Sequence, residues 1–350
     1  PSVPIHSDAR LPGASGCFST TDYKRRAGEL CSRLAILIPR PKSEVLIQLA
    51  RATLNKDDQA GRYLLSLQMK TVREFWRVYR KSRLATAGLF VISFFIGLSI
   101  VAPLIAPYNP FQTSYEALQP PSNSHLLGTS ELGNDILSQL IYGSRISLLV
   151  GFIAASVSIA IGVSSGLLAG YYGGHVDTLL TRITDIFLVI PTLPLMIVMG
   201  AVLGPSLSNV IFVIGILGWP STARIVRSQT LSVKERPFIE SARIIGSTDL
   251  HVIVRHVMPN VMTLIFANAV LVVNYAILSE AILSFLGLGD ISQISWGIML
   301  YFAFRTGALS SKAWWYVLPP GICLVSLVVS FAFVGRSLDA IFNPKLREMR

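Results

Sequence analysis

ISLLVGFIAASVSIAIGVSSGLLAG, residues 146–170, contains no charged side chain. Wound as a helix at ~1.5 Å per residue, it exceeds the ~30 Å of a bilayer's hydrocarbon core. Within it Gly162, Gly166 and Gly170 recur every four residues. One face of the helix is therefore bare backbone, which lets a neighbouring helix approach closely. Five more apolar runs lie at about 85–106, 186–204, 207–225, 261–283 and 315–335. The tight link Gly204-Pro205-Ser206 reads as a helical hairpin between two of them. Pro191 and Pro194, near the middle of the 186–204 run, free backbone carbonyls and are expected to kink it. The fold class that follows is all-α, a polytopic membrane helical bundle of about six transmembrane helices.

Composition agrees. Of 350 residues 52% are apolar and 14% charged, against roughly a quarter charged in soluble domains. The net charge of +11 is topological: sixteen Lys and Arg precede residue 84, six lie from Arg224 to Arg255 and four from Arg336 onward. Basic residues thus gather in alternate inter-helix segments, as the positive-inside rule requires, which argues against nucleic acid as a partner. An even number of crossings then puts both termini in the cytoplasm, loops 108–144 and 289–314 outside, and 171–185 and 222–260 inside. Three cysteines, Cys17, Cys31 and Cys323, suggest neither a disulfide framework nor a metal cluster. No signal-type apolar run precedes residue 84, so the first membrane helix is expected to act as its own insertion signal.

Residues 1–70 read as a poorly ordered cytoplasmic extension with short semi-helical stretches such as EVLIQLARATL. Residues 71–84 read as an interfacial amphipathic helix against membrane lipid. Val72, Phe75, Trp76 and Tyr79 share one face, and Arg73, Arg77, Arg80, Lys81 and Arg83 surround the other. Residues 85–345 form the membrane domain, and its inner loop 222–260 is long, charged and amphipathic.

Polar groups inside the spans are few: Asn268, Asn274 and Glu280. Glu280 either lines a substrate path or pairs with a basic residue at the outer rim, such as Arg145. A secondary transporter or ion pump needs several ionisable groups near mid-membrane, and essentially one is present. No phosphate-cradling glycine loop, zinc-ligand spacing or nucleophile elbow occurs, and His251 and His256 are five apart, a poor spacing for one metal on a helix. No catalytic residue, metal site or cofactor is therefore expected. A membrane enzyme would lack an acid–base pair.

Four stretches resemble the inner-membrane permease subunits of ATP-binding-cassette importers, in the branch for dipeptides, oligopeptides and nickel. They are HLLGTSELGNDILSQLIYGSRISLLVG at 125–151, GYYGGHVDTLLTRITDIFLVIP at 170–191, the inner loop with Glu240-Ser241-Ala242, Gly246 and Pro259 in the manner of the EAA signature, and LSEAILSFLGLG at 278–289 followed by SWG at 295–297. The resemblance covers roughly 71–345 and implies a type I importer-like permease. Its partners would be a homologous permease, two ATPase subunits that hydrolyse ATP in its stead, and an extracytoplasmic peptide-binding protein. It implies short peptides as cargo, with nickel or oligosaccharides as the alternative within the family and a self-contained secondary transporter outside it.

By the same resemblance, the inner loop would be the helix-turn-helix that seats in an ATPase groove. Glu240 would supply the charged contact, Ser241 and Ala242 close packing, and Gly246 the turn. Ile253 and Val254 would anchor the next helix, which Pro259 would end. Asn268, Asn274 and Glu280 are the candidates for the translocation pathway. Ser241 stands where a second Ala is usual, Leu126 where Pro is common, and Asn134 where Arg is common.

Overall fold

In lipid every backbone N–H and C=O must find its partner within the segment, and apolar runs of this length do so as helices. The computed structural model describes residue 79 and residues 82–342. The extension 1–70 and nearly all of the 71–84 stretch lie outside them. Among the described residues there is no strand, only an isolated bridge between Thr129 and Asp135.

The helices run in the order α1 (Arg83–Ile105), α2 (Ile136–Tyr172), α3 (Gly174–Val189), α4 (Thr192–Leu203), α5 (Leu207–Leu217), α6 (Trp219–Lys234), α7 (Pro237–Ile244) and α8 (Asp249–Val252). A π-helical turn, Ile253–Val257, leads into α9 (Met258–Phe285), followed by α10 (Trp296–Arg305) and α11 (Trp314–Phe342). Five stretches are long and apolar enough to cross a membrane, and α3 with α4 makes a sixth if that bent pair is one span. The sequence expectation of about six agrees with this.

Several boundaries differ from the expectation, each for a local reason. The second span starts at Ile136 rather than 146 because Asp135 caps it, its carboxylate accepting from the Ser138 backbone N–H at 2.8 Å. The third run bends by 87° between α3 and α4. Ile190 is extended there, as a residue before proline is biased to be. Pro191 alone makes the break, since Pro194 sits in the first turn of α4, where proline is tolerated. Residues 174–185, expected as inner loop, are helical.

The fourth run continues past 225 as α6 to Lys234, so about the first third of the expected loop 222–260 belongs to that helix and the inner element shrinks to α7, α8 and the π turn. Pro259 does not end a helix. It lies in the first turn of α9, downstream of a turn whose wider winding bonds the Met258 N–H to the Ile253 carbonyl. Loop 289–314 contains α10, whose Trp296 is fully buried, packs edge-on to Phe95 at 5.1 Å and donates its indole N–H to the Leu140 carbonyl at 2.9 Å.

The glycine face of α2 meets α6. A Cβ at Gly162 would fall 2.7 Å from Thr222 Cβ, one at Gly166 2.6 Å from the Ala223 carbonyl oxygen, and one at Gly170 2.7 Å from Thr230 Cβ. Asp177 of α3 then grips Arg227 of α6 through both carboxylate oxygens, the longer contact 2.6 Å, and Asp185 meets Arg224 at 3.0 Å. Gly166→Leu is expected to overpack this contact and lower stability by ~1–3 kcal/mol. Gly97→Leu, whose new Cβ meets nothing within 4 Å, should leave the thermal unfolding midpoint of the purified protein unchanged.

Candidate functional site

The element between α6 and α9 is a protruding tip with a buried root. Ile239 and Ala242 of α7, Val252, Ile253 and Val257 turn inward onto Leu167 and Tyr171 of α2 and Val226 and Val233 of α6. The Tyr171 hydroxyl donates to Asp249 at 2.7 Å, and the Arg243 guanidinium lies 5.1 Å above the Tyr171 ring, a cation–π arrangement. Val252 takes the anchoring role expected of Val254, which is exposed.

Helix α7 ends in a complete Schellman motif. The Gly246 N–H donates to the Arg243 carbonyl and the Ser247 N–H to the Ala242 carbonyl, with Gly246 at φ +90°. The glycine is needed for that backbone angle, not for space, since a Cβ there would meet nothing within 4 Å. Ala242 packs inward. Ser241 does not: it is exposed, and its hydroxyl donates to the Pro237 carbonyl at 3.0 Å within α7. Glu240 is also exposed. Among the charged and polar groups of the tip's outer surface stand three large apolar side chains, Ile244 80%, Ile245 84% and Leu250 70% exposed. These three were missed in the sequence, although two apolar residues directly before a helix-ending glycine are a legible signal.

The three polar residues of the fifth span do not converge. Asn268 lines a cleft of about 280 Å³ bounded by Phe187, Leu188 and Thr192 at the α3–α4 break, Ser221 at the start of α6 and Tyr275. Its amide donates to Thr222 at 3.0 Å. Asn274 is half-buried outside that lining, and its Oδ1 has no partner among the described residues. Glu280 is buried in a serine cage, accepting from Ser284 at 2.8 Å and Ser147 at 3.3 Å, with Ser295 beside it. It makes no ion pair with Arg145. The Ser147 oxygen also accepts from the Trp296 N–H at 3.3 Å, so the carboxyl ties α9 to α2 and to the start of α10.

At the end of the bundle away from the tip, the 106–135 segment is ordered by Asp135, whose second oxygen lies 3.0 Å from His125 Nδ1. His125 stacks obliquely on Tyr115 at 4.4 Å and Tyr108 at 5.0 Å. Asn134 is buried, accepting from Ser130 and donating to the Gln112 carbonyl, both at 3.0 Å. Among the described residues no cluster of three metal-binding side chains occurs.

Residues 158–348 match the family described as the inner membrane component of binding-protein-dependent transport systems, and residues 71–121 the N-terminal membrane domain of oligopeptide transport permease C. The dipeptide transport permease DppC of Alkalihalophilus pseudofirmus is 38% identical over 79% of this chain and 90% of that protein. DppC of Haemophilus influenzae is 36% identical over 79% and 96%. The oligopeptide permease OppC of Bacillus subtilis is 35% identical over 77% and 88%. A chain of the inward-facing MetNI methionine ABC transporter superposes on 61% of this chain and 98% of that one at 19% identity and a TM-score of 0.45, a likeness too loose to build on.

Gly246→Val should strain the α7 cap by ~1–2 kcal/mol, the usual penalty for a side chain in the left-handed region. Hydrogen exchange across residues 237–257 should quicken, and Gly246→Asn, better suited to that region, should restore protection.

Proposed function

As a member of the inner-membrane component family of binding-protein-dependent transport systems, this chain is a multi-pass permease subunit of an ATP-binding-cassette importer, and we propose that short peptides are its cargo. The cargo reading rests on the relatives, several of which are named for dipeptide or oligopeptide transport. The partners we assign are a homologous permease, two ATPase subunits and an extracytoplasmic peptide-binding protein, with both termini of this chain cytoplasmic.

The observation that carries the mechanism is the tip: three exposed apolar side chains on a buried, hydrogen-bonded root. Ile244, Ile245 and Leu250 would enter a groove on the ATPase. Glu240 would make a charged contact at its edge, and Gly246 would hold the turn. Ala242 would tie α7 to the bundle, and Ser241 contributes within α7 only. Pro259 would begin the span that receives the motion, because α8, the π turn and α9 form one unbroken helical stretch. Closure of the ATPases on ATP would then move this stretch as a body, and hydrolysis would let it return. Such a cycle requires contacts that differ between its two states.

The pathway would pass the α3–α4 break. The cleft there offers an amide and three hydroxyl-bearing side chains, Asn268, Thr192, Ser221 and Tyr275, and no charge, which suits peptides of varied sequence. Asn274 and Glu280 lie outside it, and Glu280 serves as an internal tie.

Replacing both Ile244 and Ile245 by Asp should weaken ATPase docking roughly thirtyfold, as loss of a central interface residue does. ATPase subunits should no longer co-purify and uptake of a labelled dipeptide should stop, with the thermal midpoint of the permease unchanged because both side chains are exposed. Retained ATPase would refute the docking surface. Uptake of nickel or an oligosaccharide in place of the dipeptide would refute the cargo.

A further inference from the structure

A second cleft lies apart from the residues assigned to the peptide pathway and from the tip. It encloses about 950 Å³ between α1 and α2, with Tyr142, Arg145 and Gln293 at its polar rim and Ile100, Leu149 and Ile153 among its apolar walls. Arg145 is exposed in this cleft, and no carboxylate or other hydrogen-bonding partner meets it among the described residues. It lies ~40 Å along α2 from Tyr171, at ~1.5 Å per residue, and so belongs to the end of the bundle opposite the tip.

Depth and length say what kind of molecule this cleft suits. Ile100, on the apolar wall, is about 8 Å from the end of α1 by helical rise, so the cleft sits near that end of the helix. From Arg145 to Ile153 the trough runs ~12 Å along α2, close to the depth of one leaflet of a ~30 Å hydrocarbon core. A lone cation over an apolar trough one leaflet deep complements an anionic head on an acyl chain. An arginine fork binds phosphate oxygens in pairs, and Tyr142 and Gln293 can add hydrogen bonds.

We propose that the α1–α2 cleft is a binding site for an anionic phospholipid of the leaflet opposite the tip, its phosphate held by Arg145 and its acyl chain laid along Leu149 and Ile153. The lipid would extend the contact between α1 and the rest of the bundle, much of which is otherwise exposed apolar surface on that side. This rests on the chain spanning a membrane and not on the cargo.

The test uses the purified importer complex with the full-length chain, equilibrated in mixed phosphatidylglycerol and phosphatidylcholine of matched chains and examined by native mass spectrometry. The wild type should retain phosphatidylglycerol in preference. Arg145→Gln should cut that retention about fivefold, the contribution expected of one basic residue to an anionic lipid, whereas Arg145→Lys should keep most of it. Ile153→Trp, which fills the trough and leaves the arginine in place, should also expel the lipid.

Undiminished phosphatidylglycerol on Arg145→Gln would overturn the proposal. If the homologous permease then dissociated, the arginine would be meeting a carboxylate of that partner. If the peptide KM rose instead, it would be meeting the cargo. Equal loss of both lipids would also overturn it, because the arginine would then confer no selection by charge.

Discussion

The close approach of α6 to α2 is the constraint from which the rest of the structure follows. Three glycines spaced by four put no side chain of α2 between the two backbones, and α6 fills that space from Trp219 to Thr230 with Thr222, Val226 and Thr230 against the bare backbone. Helix association in lipid has no hydrophobic drive of its own, so such packing, with added hydrogen bonds and ion pairs, must supply the attraction. The Asp177–Arg227 and Asp185–Arg224 pairs do so from α3. Because α2 is long enough to extend beyond the apolar layer, the contact carries α6 out with it, and the ends of both helices form the seat on which α7 and α8 rest.

That seat decides how motion can pass through the protein. The apolar root of the tip, centred on Ile239, Val252 and Val257, is as buried as the membrane core, while its crown is exposed. A force applied at the crown is therefore delivered to α2 and α6 through packed side chains, and to α9 through continuous backbone. The π turn at 253–257 is the one irregularity on that second route. Turns of this kind mark functional positions in many helices, and here it directly precedes α9 and its Pro259.

Much of this was legible in the sequence, and the reasons are specific. The glycine period announced a close helix contact, and the partner turned out to be the charged stretch after Trp219, whose Arg and Lys had suggested a loop. Charge misled because Arg224 and Arg227 are satisfied by aspartates some forty to fifty residues earlier, a pairing with no local signature. Pro191 was read as a kink, and the right-angled break follows from the extended conformation that proline imposes on Ile190. Gly246, expected at the turn, holds the left-handed position that ends α7. Ser241 and Val254 prove exposed, because a motif fixes residue types but not which side of a short helix faces inward. Glu280 was recognised as unusual; its partner Ser284, four residues on along the same helix, was within reach of spacing alone, whereas Ser147 comes from α2 and has no local signature.

The broken third span also frees a main-chain acceptor. The carbonyl of Phe187 should receive its hydrogen bond from the nitrogen of residue 191, and proline has no hydrogen there to give. At membrane depth an orphaned acceptor of this kind is tolerated only where it faces other protein or a hydrated space. Phe187 borders the same cleft as Asn268 and Thr192. The break therefore leaves a main-chain acceptor free at a residue that borders this cleft, one more polar group there than its amide and hydroxyl side chains supply.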